Sequence, residues 1–460
     1  MHRQGSPCGS PSIFFAQSTL RALHYHDDRC ASPCSAACIQ SAHMTQKQRI
    51  ADAQTTDDLW RLMLRRVPPI VSEYFRGGAD AEITLRGNVQ AFQQSQTTAY
   101  GAQKFATLDT STEVVEQRLE VPWFLSPVGS LRSLYPKADA VAAEVAGEYG
   151  TVMSLSTLSG TPMEEVAAAS TSGCWFQLYL CGGKETALRG IARAKAAGFR
   201  GLMLTIDTGV SGLRALHAKM KPMEVAMTFR GLGLVDRLKL AARKLSVSPQ
   251  MVLRMPWLLA HLRDGGLMQF VNVIDDQGRP MPYADIGTQL AASAVTWDDL
   301  RWIKQAWGDE LPLIVKGVHC ARDARRAEEL GATGVVWSNH GGRQQDRVPP
   351  VLHMVAQEMP KVGDSQLDFM MDGGVRNGTD VLIALTYGLK AVGIGRVTAA
   401  GIGAGGRFGL RRAFEILRSD LDRAMRLVGL ESVAELRQDG YKVRRESALR
   451  GIGHLPDFVF

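Results

Sequence analysis

The sequence predicts an α/β protein built as a (β/α)8 TIM barrel, with a helical N-terminal segment and a long insertion in the fourth βα loop. Three observations carry that prediction. Eight short apolar runs recur along the chain: Trp123–Ser126, Val152–Leu155, Trp175–Leu178, Gly201–Thr205, Leu313–Lys316, Gly334–Ser338, Phe369–Asp372 and Ala391–Ile394. Ala- and Glu-rich helical segments such as Ala138–Tyr149, Glu164–Ala169 and Glu185–Ala197 separate most of them, as alternating strands and helices around a parallel sheet require. Polar or glycine-rich residues follow the runs, which is where a barrel carries its ligand-binding groups.

The remaining elements follow in order. Residues 1–43 are polar, rich in Ser, Cys and His, and without a period; they read as a disordered extension lacking the pattern of a secretory signal. From Thr56 to Phe75, Leu59, Leu62, Met63, Val67, Val71 and Tyr74 recur at helical spacing, with Pro68-Pro69 marking a break or a new helix start. The barrel domain is expected over 56–440, with a C-terminal tail at 441–460. Residues 206–312 separate the fourth and fifth strands, far more than one βα connection needs, so a lid-like insertion is placed at about 212–295.

Composition narrows the function classes. Hydrophobic residues at 45% and charged residues at 22% of 460 are ordinary for a soluble globular chain. No apolar run approaches the ~20 residues needed to span a bilayer. A formal charge of +7 suits an anionic cofactor, an acidic substrate or an anionic membrane surface. Aromatics at 7%, without a basic-aromatic repeat, argue against a nucleic-acid module. Of seven cysteines, Cys8, Cys30, Cys34 and Cys38 fall in the extension and Cys174, Cys181 and Cys320 are scattered through the body. An odd, uneven count argues for a reducing, cytoplasmic compartment, and the Cys30/Cys34/Cys38 spacing lacks the flanking pattern of a metal or cluster site.

Two loops point to a phosphate. Asp372-Gly373-Gly374-Val375-Arg376-Asn377-Gly378 follows the seventh run and Gly393-Ile394-Gly395-Arg396 the eighth. Glycines let backbone N–H groups approach a phosphate, arginines supply charge, and barrels build phosphate sites from these two loops. After the sixth run comes Ser338-Asn339-His340-Gly341-Gly342-Arg343-Gln344. An imidazole titrating near neutrality is a proton acceptor, and a guanidinium is a fork for a carboxylate. Alone, the pair could equally be a surface His and Arg in a glycine-rich loop.

That segment resembles the signature of the FMN-dependent 2-hydroxy acid oxidase and dehydrogenase family, which includes glycolate oxidase, L-lactate dehydrogenase and mandelate dehydrogenase. Matching segments run in order from about Leu59 to about Leu436. The resemblance implies FMN, contacted by Pro127, Val128, Gly129, Ser156, Gln177, Thr205, Lys316 and Ser338. The two phosphate loops complete that set with Asp372, Gly373, Gly374, Val375, Arg376, Gly395 and Arg396. It also implies His340 as the base, Asp207 holding its ring, and Tyr179 (in Phe176-Gln177-Leu178-Tyr179) near the reacting hydroxyl. Tyr74, Arg214 and Arg343 would clamp the substrate carboxylate. The chain departs from the family at Ser211-Gly212-Leu213-Arg214-Ala215-Leu216-His217, where most relatives carry a glycine-rich run with a further arginine before Arg214 and an acid shortly after.

The implied reaction is oxidation of an L-2-hydroxy acid, L-lactate first, with oxygen, a quinone or a cytochrome as electron acceptor. A homo-oligomer, a tetramer in the family, is implied too. From Arg230 to Arg263 the insertion carries Arg230, Arg237, Lys239, Arg243, Lys244, Arg254 and Arg263 against Asp236 alone, interleaved with Leu, Met, Val and Trp257. Such a stretch can lie on the inner face of a cell membrane, or pack on the barrel or a neighbouring subunit. Two rivals stand beside this reading: another FMN barrel enzyme, such as an isomerase or a deaminase-like relative, and a flavin-binding protein without catalysis.

Overall fold

The computed structural model describes residues 44–438 apart from 100, 211, 215–247, 267 and 283–284. The described residues from 46 to 438 form one compact unit. The extension at 1–43, its four cysteines and the tail at 441–460 lie outside the described residues.

Eight parallel strands make the centre: β1 (Trp123–Phe124), β2 (Met153–Ser156), β3 (Cys174–Leu178), β4 (Gly201–Thr205), β5 (Leu313–Val318), β6 (Gly334–Trp337), β7 (Asp368–Asp372) and β8 (Ala391–Gly393). They pair in the spatial order β1-β8-β7-β6-β5-β4-β3-β2. A parallel bridge between Leu125 and Met153 joins β1 to β2 and closes the circle. Every predicted strand is present, its limits shifted by at most about two residues. Strands covered on both faces read as continuous apolar runs, which is why they stood out in the sequence.

The barrel interior takes one residue from each strand or its start: Phe124, Val152, Trp175, Met203, Ile314, Val336, Met370 and Ala391. A short antiparallel hairpin (Thr112–Val114 with Gln117–Leu119) adds Val114, Val115 and Leu119 to that cluster and covers the N-terminal mouth.

The N-terminal segment folds as two helices. Thr55 and Asp58 form a reciprocal capping box that starts Thr56–Arg66. That helix stops before Pro68, and Pro69 opens Pro69–Arg76, where its fixed φ and missing N–H suit the first turn. Leu59, Trp60 and Met63 are fully buried. A Cβ on Gly403 of helix Arg396–Gly405 would lie 2.2 Å from the Met63 side chain, so the two helices meet only because that position is glycine. The second helix thus ends at the barrel mouth, delivering Tyr74.

Of the insertion, helices Ser248–Val252 and Met255–Arg263, a hairpin of Phe270–Ile274 with Pro280–Met281, and helix Ile286–Ala291 are described. Trp257 is fully buried and donates to Ser133 O at 3.0 Å. His261 sets Nδ1 2.9 Å from Trp257 O and Nε2 2.9 Å from Arg132 O, and Arg132 pairs with Asp264 at 2.9 Å. Most of the basic run, from 230 to 247, lies outside the described residues.

Candidate active site

The C-terminal mouth holds a cavity of about 630 Å³, within the roughly 300–1,000 Å³ usual for ligand clefts. Its wall includes Tyr74, Pro127, Val128, Gly129, Ser156, Tyr179, Arg214, Lys316, His340, Arg343, Asp372, Gly373, Gly374, Val375, Arg376, Gly395 and Arg396. Four expected residues do not line it. Asp207, Gln177 and Ser338 stand one layer behind, hydrogen-bonded to His340, Ser156 and Lys316, and Thr205 stands behind Gln177.

The back layer is ordered by strand register. Ser156 Oγ donates to Gln177 Oε1 at 3.2 Å, and Gln177 Nε2 donates to Thr205 Oγ1 at 3.0 Å, linking β2, β3 and β4 in a buried chain. On the opposite side, Lys316 Nζ donates to Ser338 Oγ at 2.8 Å and pairs with Asp372 at 3.1 Å, both side chains nearly closed to solvent. Asp372 is therefore the counter-ion of the lysine, a role that loop position alone did not indicate.

His340 sits just past β6 at φ 58°, and Gly341 and Gly342 continue in the left-handed region. Its backbone N–H donates to Ser338 Oγ at 3.0 Å. A non-glycine residue in that region costs about 1–2 kcal/mol, so the surroundings must hold it. They do so through the ring: Nδ1 lies 3.0 and 3.3 Å from the two Asp207 carboxylate oxygens. Nε2 is left facing the Tyr179 hydroxyl at 3.5 Å. Gly317 makes room for the carboxylate, since a Cβ there would be 2.7 Å from Asp207 Cβ and Cγ. Burial pushes the Asp207 carboxyl up, but the His340 charge and hydrogen bond, with Lys316 and His319 behind, outweigh it and hold the carboxyl below its usual range. Burial, reinforced by the Asp207 charge, raises the Tyr179 phenol well above its usual range, so the hydroxyl keeps its proton.

Four arginines converge on this mouth. Arg343 Cζ lies 4.9 Å from the Tyr74 ring centroid, and its NH1 caps the end of helix Pro69–Arg76 through Tyr74 O (2.6 Å) and Gly77 O (2.9 Å). Arg396 reaches Phe75 O at 3.1 Å and Gly341 O at 3.0 Å. Burial, then the charges of Arg376, Arg343 and Arg214, push Arg396 well below the usual guanidinium range. Burial and Arg343 lower Arg214 to about 9, and burial lowers Arg376 to about 10. Buried like charges this close call for an anion. Ser126 Oγ, buried on the same wall, has no hydrogen-bond partner among the described residues. Gly373 and Gly395 leave partly exposed backbone beside these cations, while Gly374 is buried against Asn88 and Phe92. The donor set fits FMN: cations and glycine loops for its phosphate, with Val128, Gly129 and Lys316 on the same cavity wall to take its ring.

Several wall residues had not been singled out: Ser126, Thr208, Gly212, Leu213, Gly287, Leu290 and Gln344. Gln344 stood inside the quoted signature, and its neighbourhood was the available signal. Leu213, Gly287 and Leu290 belong to the insertion, which therefore contributes to the wall.

Fold and site define a barrel enzyme with a carboxylate-held imidazole beside a cationic, phosphate-ready cavity. The family model for FMN-dependent dehydrogenases matches residues 63–443, and the chain belongs to that family. Its cofactor is FMN, and its reaction is FMN-dependent oxidation of a 2-hydroxy acid. An L-lactate dehydrogenase of Azorhizobium caulinodans is 33% identical over 81% of this chain and 94% of its own. A 2-hydroxyacid oxidase of Dictyostelium discoideum is 30% identical over 81% and 86%. Among solved structures, the monotopic membrane protein (S)-mandelate dehydrogenase superposes with a TM-score of 0.74 at 30% identity, over 85% of this chain and all of the other.

Proposed function

We propose that the chain oxidises a small L-2-hydroxy acid, L-lactate first, to the 2-keto acid. The observation that carries the reading is the Asp207–His340–Tyr179 line beside Arg343 and Arg214. With Nδ1 held by Asp207, His340 Nε2 is the free nitrogen and takes the proton from the substrate. Asp207 stabilises the imidazolium that forms, as a buried carboxylate does for other catalytic histidines. Arg343, Arg214 and Tyr74 hold the carboxylate, and Tyr179 donates toward the reacting hydroxyl. Bound FMN supplies the two-electron acceptor. Arg376, Arg396 and the glycines of the last two loops would hold its phosphate, and Lys316 would balance charge at its ring. Relatives named L-lactate dehydrogenase support the choice of substrate. Anaerobic addition of L-lactate to the yellow protein should bleach the flavin faster than L-mandelate or glycolate does. Faster bleaching by either of those would replace lactate as the substrate, and no bleaching by any of them would overturn the reaction.

The insertion supports a second element of the proposal, peripheral membrane contact. Val252, Leu253, Leu259 and Leu262 are exposed beside Arg254 and Arg263, and the mandelate dehydrogenase neighbour is described as monotopic. No described helix is long and apolar enough to cross a membrane. We propose a homo-oligomer on family resemblance alone, with its acceptor among oxygen, a quinone and a cytochrome.

A further inference from the structure

We propose that Gln344 is a positioning residue for the hydroxy-acid reaction. Its side-chain amide ties the loop after β4 to the loop after β6, so that Asp207 and Arg214 keep their places against His340 and Arg343. The inference rests on the roles proposed above for those four residues.

One amide makes three bonds to one short segment. Gln344 Nε2 donates to Asp207 O at 3.2 Å and to Val210 O at 3.1 Å, and Gln344 Oε1 accepts from Gly212 N at 3.3 Å. Two donors and one acceptor are thus spent on the backbone of 207–212. The segment answers in kind. Arg214 NH1 donates to Gly212 O at 3.0 Å and also to Arg343 O. The two backbones nearly touch: a Cβ on Gly212 would lie 2.3 Å from Arg343 O and 2.4 Å from Gln344 O.

Apolar packing does not explain why this loop stays in place. Val210 is 73% exposed, and Leu213, although it borders the cavity, is 64% exposed, so neither side chain is packed deeply enough to anchor the loop. Electrostatics opposes the arrangement, because the Arg214 and Arg343 guanidinium groups repel across the cavity. Hydrogen bonds therefore supply the adhesion: those of Gln344 hold the middle of the segment, while Asp80 N–H on Leu213 O (2.8 Å) and Arg214 on Arg343 O hold its far end. A single segment, 207–214, carries the group that orients the base at one end and a carboxylate ligand at the other. Fixing its middle couples proton transfer to carboxylate binding.

The test uses the full, FMN-loaded chain with oxalate as a carboxylate probe, read by calorimetry, alongside turnover and melting temperature. Gln344→Met should weaken oxalate roughly tenfold and lower kcat by a similar factor, with FMN content unchanged. In an Arg214→Met background the same substitution should cost less than about twofold in oxalate affinity, because no guanidinium remains to be placed. Gln344→Glu keeps the length and the acceptor for Gly212 N while losing both donors, and should show the same fall in kcat if the methionine variant loses its flavin. Fully additive penalties, or a lowered melting temperature with oxalate affinity and kcat at wild-type values, would overturn the inference alone. Wild-type protein that neither binds oxalate nor is reduced by any 2-hydroxy acid would overturn the underlying reading along with it.

Discussion

The barrel mouth and the insertion solve the same problem, holding side chains over a cavity, by different means. At the mouth, each group hangs from a buried strand and is tied to its neighbour's strand, as in the chain Ser156–Gln177–Thr205. In the insertion, helix Met255–Arg263 is held by Trp257, His261 and the Arg132–Asp264 pair, while Leu259 and Leu262 stay exposed. One region is over-determined and the other rests on a few anchors. Chemistry that tolerates little displacement belongs in the first. Opening, closing and contact with other surfaces belong in the second.

Substitutions can break this contrast, and the largest effect is expected at the mouth. His340→Ala or His340→Gln should retain FMN and lose about 10²–10⁴-fold in turnover, the usual contribution of a general base. Activity within a few-fold of wild type would remove His340 from the role.

Next comes the insertion's anchor. Removing a buried indole costs about 3–5 kcal/mol. In Trp257→Ala that loss should fall on docking of the helix, raising amide exchange across 255–263 by two orders of magnitude or more while exchange in β4–β7 stays unchanged. Uniformly faster exchange in both regions would show the anchor to be part of the global fold.

A smaller effect is expected at the carboxylate clamp. A charged hydrogen bond contributes about 1.5–3 kcal/mol, so Arg343→Met and Arg214→Met should each weaken substrate binding by roughly 10–150-fold. If only Arg343→Met acts, Arg214 is a structural tie and not a ligand.

The smallest effect sharpens the insertion's side of the contrast. Sedimentation with anionic liposomes should fall as salt rises from 0.1 to 1 M and the Debye length shrinks from ~10 to ~3 Å. No binding even at low salt would leave the insertion as a wall of the cavity alone.

The strands were legible because burial on both faces writes an uninterrupted apolar run, and the proposed site residues because most of them follow those runs directly. The hairpin at 112–119 was not legible. Its turn residues Val115 and Glu116 adopt φ 44° and 61° without the Asn or Gly that usually signals such a turn. Nor did sequence reveal that Arg343 and Arg396 would cap the helix bearing Tyr74, or that Asp372 would pair with Lys316. Those partners lie far apart in the chain, and carbonyls at a helix end acquire donors only once the fold brings them near. The Asp207–His340 bond was foreseen through family resemblance and matches the geometry, whereas Gln344 lay inside the quoted signature without a role.

The seam of the barrel has a consequence for how the protein is made. Trp123 pairs with Val392 and Phe124 with Gly393, so the circle joins residues separated by more than half the chain. A ribosome must synthesise nearly the whole barrel before that seam can form, and contacts of such long range form slowly. Both glycine loops proposed to receive the phosphate flank the seam's late side. A nascent chain ending before Arg396 therefore holds His340 but lacks the last arginine proposed for the cofactor cradle, so flavin uptake is expected only once the barrel is complete.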